Sequence, residues 1–92
     1  MKKFLVIRHY NDKDYLYSIL RANNIDMASE KIEEKIIMTE FKDHGVYTVT
    51  PLVSFHYKGN RVILPDGVKK TTIVIPSVDT NPFEFLKEHL KQ

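Results

Sequence analysis

The sequence predicts an α+β fold in one small domain: an antiparallel β-meander of four or five strands, including a central N-terminal strand, packed by two N-terminal helices and a short C-terminal helix. Three observations lead to it. Phe4-Leu5-Val6-Ile7 is an unbroken apolar run, as expected of a strand buried on both faces. Two stretches, 12–22 and 26–38, carry apolar residues at helical spacing. Residues 46–64 alternate apolar and polar side chains about a two-residue turn. The expected order is β-α-α-β-β-β-β-α.

Each element has its own warrant. Lys3 to His9 is the first strand. Asn11 and Asp12 offer helix-capping oxygens, Asp14 suits a helix N-terminus, and Tyr15, Leu16, Ile19 and Leu20 form an apolar stripe that ends at Asn23-Asn24. A second, more charged helix follows from Asp26, with Ala28, Ile32 and Ile36 inward. Residues 35–41 read equally well as its last turns or as a strand.

In the central stretch, Tyr47, Val49, Val53, Phe55 and Tyr57 form a dry set, and Thr48, Thr50, Ser54, His56 and Lys58 a wet one. Gly59-Asn60 suits a primed turn, which places Lys58 opposite Arg61, Tyr57 opposite Val62, His56 opposite Ile63 and Phe55 opposite Leu64. Pro51 removes a ladder donor and implies a bulge, an edge or a break. After the Pro65-Asp66-Gly67 turn, Thr71 to Pro76 is the last strand, and Thr71 to Ile75 the expected sheet edge through which two copies could pair. Thr80 or Asn81, then Pro82, would start a terminal helix lined by Phe83, Phe85, Leu86 and Leu90.

Composition narrows the function classes. With 92 residues, 42% of them hydrophobic, three glycines and four prolines, the chain can bury a core. No apolar run approaches a membrane span, and the N-terminal one is too short for a secretory signal, so a cytoplasmic protein without membrane contact is expected. The absence of cysteine excludes disulfides and thiolate metal sites. His9, His44, His56 and His89 stand at no metal-ligand spacing, so neither metal nor cofactor is expected.

Net charge is +2, unevenly spread: residues 11–41 hold four basic and seven acidic side chains, whereas 42–76 hold five basic and two acidic ones. The candidate site is the cationic set His56, Lys58 and Arg61, joined by Lys69 and Lys70, on the wet side of the hairpin. Facing cations repel, and such a face suits a carboxylate-rich protein surface or nucleic-acid phosphates. Tyr10 and Tyr17 are the surface candidates for base stacking, while Tyr57 belongs to the dry set. His9 with Asp12 or Asp14 is a second acid-base pair, read as structural.

No nucleotide loop, nucleophile elbow or metalloprotease motif is present. The order β-α-α followed by a meander resembles RelE-type toxin ribonucleases in topology, without a shared motif and with less positive charge. That resemblance implies a metal-independent ribonuclease with His56 as acid or base and Lys58 or Arg61 stabilising charge. The expectation adopted is a small non-enzymatic binding protein, an accessory or inhibitor of the kind carried by phages and mobile elements. It would dock on a protein partner through the basic hairpin face, with nucleic acid the alternative ligand.

Overall fold

The computed structural model describes residues 1–39 and 42–76. Strands account for half of the described residues, and among these there is one helix. In chain order the elements are β1 (Lys2–Tyr10), β2 (Lys13–Ala22), α1 (Ile25–Met38), β3 (Gly45–Pro51), β4 (His56–Lys58), β5 (Arg61–Ile63) and β6 (Thr71–Ile75). Four strands form an antiparallel sheet in the order β2-β1-β3-β6, and β4 with β5 forms a separate two-stranded hairpin. Because β2 and β3 both run antiparallel to β1, they are parallel to one another, and α1 is the crossover between them.

The first expected helix is a strand. Asn11 and Asp12, read as helix caps, have φ of 52° and 60° and form the two-residue turn of a β1–β2 hairpin. Tyr10 therefore pairs with Lys13, and His9 with Asp14. The apparent helical stripe arises from a β-bulge. Val6 pairs with Ser18 but Ile7 with Leu16, so Tyr17 is an extra residue. That insertion places Leu16 and Ile19, three apart, opposite Ile7 and Leu5 on one face. The observed order is thus β-β-α-β-β-β-β, and the expected pair of N-terminal helices is one; the expected C-terminal helix lies outside the described residues.

The helix matches its sequence signals. Asn24 caps it, its side chain accepting from the Met27 amide at 2.9 Å, and Asp26 stands in the first turn. Ile25, Ala28, Ser29, Ile32 and Ile36 are buried at the spacing of one helical face. They pack on Phe4, Val6, Tyr47, Val49, Ile73 and Ile75, the near face of the sheet. Of the ambiguous stretch, Lys35 to Met38 is helical, and Glu40 and Phe41 lie outside the described residues.

Tyr17 closes the end of this core. Its ring meets Tyr47 edge-on at 5.0 Å, and its hydroxyl donates to Asp43 at 2.8 Å, while the Tyr47 hydroxyl donates to the Asp43 carbonyl. Tyr17 is therefore not the surface platform the sequence suggested. Burial, reinforced by the neighbouring Asp43 carboxylate, holds its phenol well above the ordinary tyrosine value.

Strand β1 is central, as its apolar run implies: Phe4, Leu5, Val6 and Ile7 are all buried. Leu5, Ile7 and Thr50 point away from the helix and are covered on the far face, across which the 52–70 segment carries the hairpin on its way to β6. Strand β6 is a sheet edge, with Ile73 and Ile75 buried and Val74 exposed. Of the bulge, edge or break expected at Pro51, the structure has a break: β3 ends at that residue, and β3 and β4 belong to different sheets.

Candidate functional site

The hairpin forms in the register its turn dictates, with Lys58 opposite Arg61, Tyr57 opposite Val62 and His56 opposite Ile63. Gly59 takes φ of 62°, which fits a turn with glycine at its first central position. What the local pattern does not contain is how the hairpin is held. Its inner strand, β5, lies against the start of β2. The Asp14 amide donates to the Asn60 carbonyl at 2.8 Å, and the Val62 amide donates back to the Asp14 carboxylate at 2.8 Å. The outer strand, β4, is left in solvent, and all three of its residues are exposed.

Asp14 is the hub. Its side chain is 4% exposed, and besides the Val62 amide its carboxylate meets His9 Nδ1 at 2.6 Å and an Arg61 nitrogen at 3.3 Å. Burial alone would raise its pKa. The hydrogen bonds from His9 and Val62, with the charges of His9 and Arg61, outweigh that and hold the carboxyl below its ordinary value of 3.8. An ionised carboxylate only accepts, so His9 Nδ1 carries the proton. The other ring nitrogen, Nε2, lies 2.7 Å from the Thr48 hydroxyl and in the neutral ring accepts from it. His9, in β1, is thus clamped between β2 and β3.

His9 and Thr48 open on a cleft of about 470 Å³ between the far face of the sheet and the 62–68 stretch. Thr72 and Ile7 share its floor, Leu64 and Val68 are among its apolar walls, and Lys70 also lines it. Among the described residues no group of three or more histidine, aspartate or glutamate side chains converges to hold a metal ion.

The cations expected to share one surface meet different surroundings. Lys58 and Arg61 do face each other across the ladder, but the Arg61 guanidinium turns toward Asp14 and, at 3.9 Å, toward Asp12, so its charge is matched. His56 and Lys58 are exposed on β4. Lys69, whose carbonyl accepts from Thr50 at 3.3 Å, and Lys70 stand before β6. Tyr57, expected inward, is 51% exposed. A hairpin of three residues per strand carries its own side chains, and the Phe55 ring meets Tyr57 edge-on at 6.0 Å. Tyr10 is exposed, as expected of it, with the Arg8 guanidinium 4.6 Å from its ring centre.

The pairing of His9 with Asp14 was among the sequence expectations; the participation of Thr48 and the anchoring of Val62 were not. The likeness to RelE-type ribonucleases rested on a β-α-α start, which the second strand replaces. No family model, curated protein or solved structure matches the chain. Among the described residues no helix is long and apolar enough to cross a membrane.

Proposed function

We propose that the protein is a cytoplasmic binding protein of accessory or inhibitor type, docking on a protein partner through the outer strand of its hairpin. The observation that supports this reading is the asymmetry of the hairpin: β5 is fastened to the sheet by the buried Asp14, while His56, Tyr57 and Lys58 on β4 face solvent. A recognition strand held in place before binding loses little conformational entropy on contact. Tyr57, braced by Phe55, is the type of aromatic anchor that dominates interfaces, and His56 and Lys58 beside it suit an acidic rim around an apolar pocket. The same exposed ring flanked by cations favours a second reading, single-stranded nucleic acid stacked on Tyr57.

The experiment captures partners from host lysate on the immobilised protein, then titrates the purified partner against wild type, Tyr57→Ala and Lys58→Glu. Tyr57→Ala should weaken binding tenfold or more, about 1.4 kcal/mol. Unchanged affinity in both folded variants overturns the reading. Salt-sensitive oligonucleotide binding that Tyr57→Ala abolishes would transfer the surface to nucleic acid. Arg61 is unsuited to the test, because glutamate there would place a second carboxylate against Asp14.

A further inference from the structure

We infer that Thr48, His9 and Asp14 form a hydroxyl–imidazole–carboxylate relay in which Thr48 is an acyl-accepting nucleophile, with small activated acyl esters, oxygen esters or thioesters, as substrates. The inference goes beyond the docking reading and uses no residue of β4. Its basis is the continuity of the chain of contacts: Thr48 Oγ1 to His9 Nε2 at 2.7 Å, then His9 Nδ1 to Asp14 at 2.6 Å. A nucleophile within hydrogen-bonding reach of a base, and a base oriented by a third group, are the geometric marks of an activated hydroxyl. A carboxylate that stays ionised holds the imidazole in the tautomer that can accept the hydroxyl proton.

The location also fits. A histidine clamped only for structure has no need of a cavity, yet His9, 28% exposed, and the half-buried Thr48 both line the cleft. Its volume suits a small ligand, and the apolar surfaces of Leu64 and Val68 suit an uncharged acyl group. Lys70 is the lysine among the lining residues, and the charge that develops on the acyl oxygen is assigned to it. An ester or thioester with a good leaving group, rather than a peptide, is the class that needs least oxyanion stabilisation.

In the step assigned here the Thr48 O–H bond breaks and its proton passes to His9 Nε2, while Thr48 Oγ1 bonds to the acyl carbon. The bond from that carbon to the leaving oxygen or sulfur then breaks, and the leaving group takes the proton from His9. Water repeats the sequence against the acyl-threonine, giving the free acid and restoring Thr48.

The test uses p-nitrophenyl acetate with the full chain. Nitrophenolate release is followed with time, and the acetylated residue is mapped by mass spectrometry. Wild type should carry acetyl on Thr48. Thr48→Val, close in shape, should lose that adduct and the release it produces, and Thr48→Ser should retain both. His9→Gln should slow acylation about 100-fold or more, the contribution of a positioned base. Circular dichroism and urea titration establish that each variant is folded. Absence of an adduct at position 48 in the wild type, acetylation confined to lysines, or equal release by Thr48→Val overturns the inference. Should Thr48→Val fail to fold, Thr48→Ser and His9→Gln decide by the same adduct. Asp14 is left intact because it also anchors the hairpin.

Discussion

Replacing Asp14 by alanine tests the anchoring of the hairpin directly. The change strands two donors that the structure satisfies with one carboxylate, the Val62 amide and His9 Nδ1, and removes the nearer of the two carboxylates beside Arg61. Each hydrogen bond to a charged group contributes roughly 1.5 to 3 kcal/mol, and removing one side of a buried charged pair costs about 3 to 5 kcal/mol in all, since the effects are not additive. Against a total of about 5 to 15 kcal/mol this is a large fraction, and for a chain of this size it lowers Tm by about 12 to 40 °C if the whole fold senses it. If the hairpin alone releases, the loss is capped at the cost of undocking β5. Amide exchange separates the two outcomes: the Val62 amide should lose its protection in either case, and the amides of β1 only in the first.

The pH dependence has a defined sign. Asp14 titrates below its ordinary value of 3.8 in the folded chain, so its contribution is complete above that value and drains away as pH falls through the lower, folded pKa. The stability gap between wild type and Asp14→Ala should therefore narrow in acid. A gap under about 1 kcal/mol near neutrality, a Val62 amide that still exchanges slowly in the variant, or a gap that widens below pH 4 would refute the reasoning.

Further substitutions probe the parts that position the site. Gly59→Ala meets open space but must hold φ of 62°, so urea unfolding should show a loss of about 1 to 2 kcal/mol. Asp12→Gly relieves φ of 60° in the β1–β2 turn and removes only a distant, exposed contact with Arg61, so stability should rise by about 0.5 kcal/mol. Ile32→Ala, in the core under the helix, should cost about 2 to 5 kcal/mol, whereas Ile19→Ala, at a position 59% exposed, should stay within about 0.5 kcal/mol. Equal costs would indicate that residues 13–22 bury an inward helical stripe after all. Tyr17→Phe should lose about 1 kcal/mol near neutrality. Because the Tyr17 phenol is held above its ordinary value of 10.0, wild type loses stability as pH rises past that value, and the variant should lose less.

What the sequence made legible divides along the range of the interactions involved. The Gly59-Asn60 hairpin could be read because its signal is local: two turn residues and a count outward give every pair in β4 and β5. The helix from Ile25 was readable because Ala28, Ile32 and Ile36 repeat at four-residue spacing; Asn24, which caps it, read instead as the end of the preceding element. Residues 13–22 misled for an equally specific reason. A single bulge at Tyr17 turns the two-residue period of a strand into a three-residue one between Leu16 and Ile19, which imitates a helix. The opposing signals were the paired turn formers Asn11-Asp12 and the strand preference of Tyr15, Tyr17 and Ile19.

The same misreading hid the register that brings His9 and Asp14 together, a pair the sequence had offered only beside the alternative of Asp12. Once Asn11-Asp12 is taken as a two-residue turn, counting outward pairs Tyr10 with Lys13 and His9 with Asp14 without further information. An aspartate in a strand whose face continues through Leu16 and Ile19 is out of place by propensity, and that misfit is itself a sign that something is bonded to it. Thr48 and Val62 are different. They stand 39 residues from His9 and 48 from Asp14 respectively, and reach them only through the β1–β3 register and the path of the 52–70 segment across the sheet. Neither leaves a mark in local pattern. A threonine on a wet strand face reads as solvent-facing until the chain that crosses above it is known; its contact with His9 comes from the β1–β3 register, and the cleft beside them both from the crossing segment.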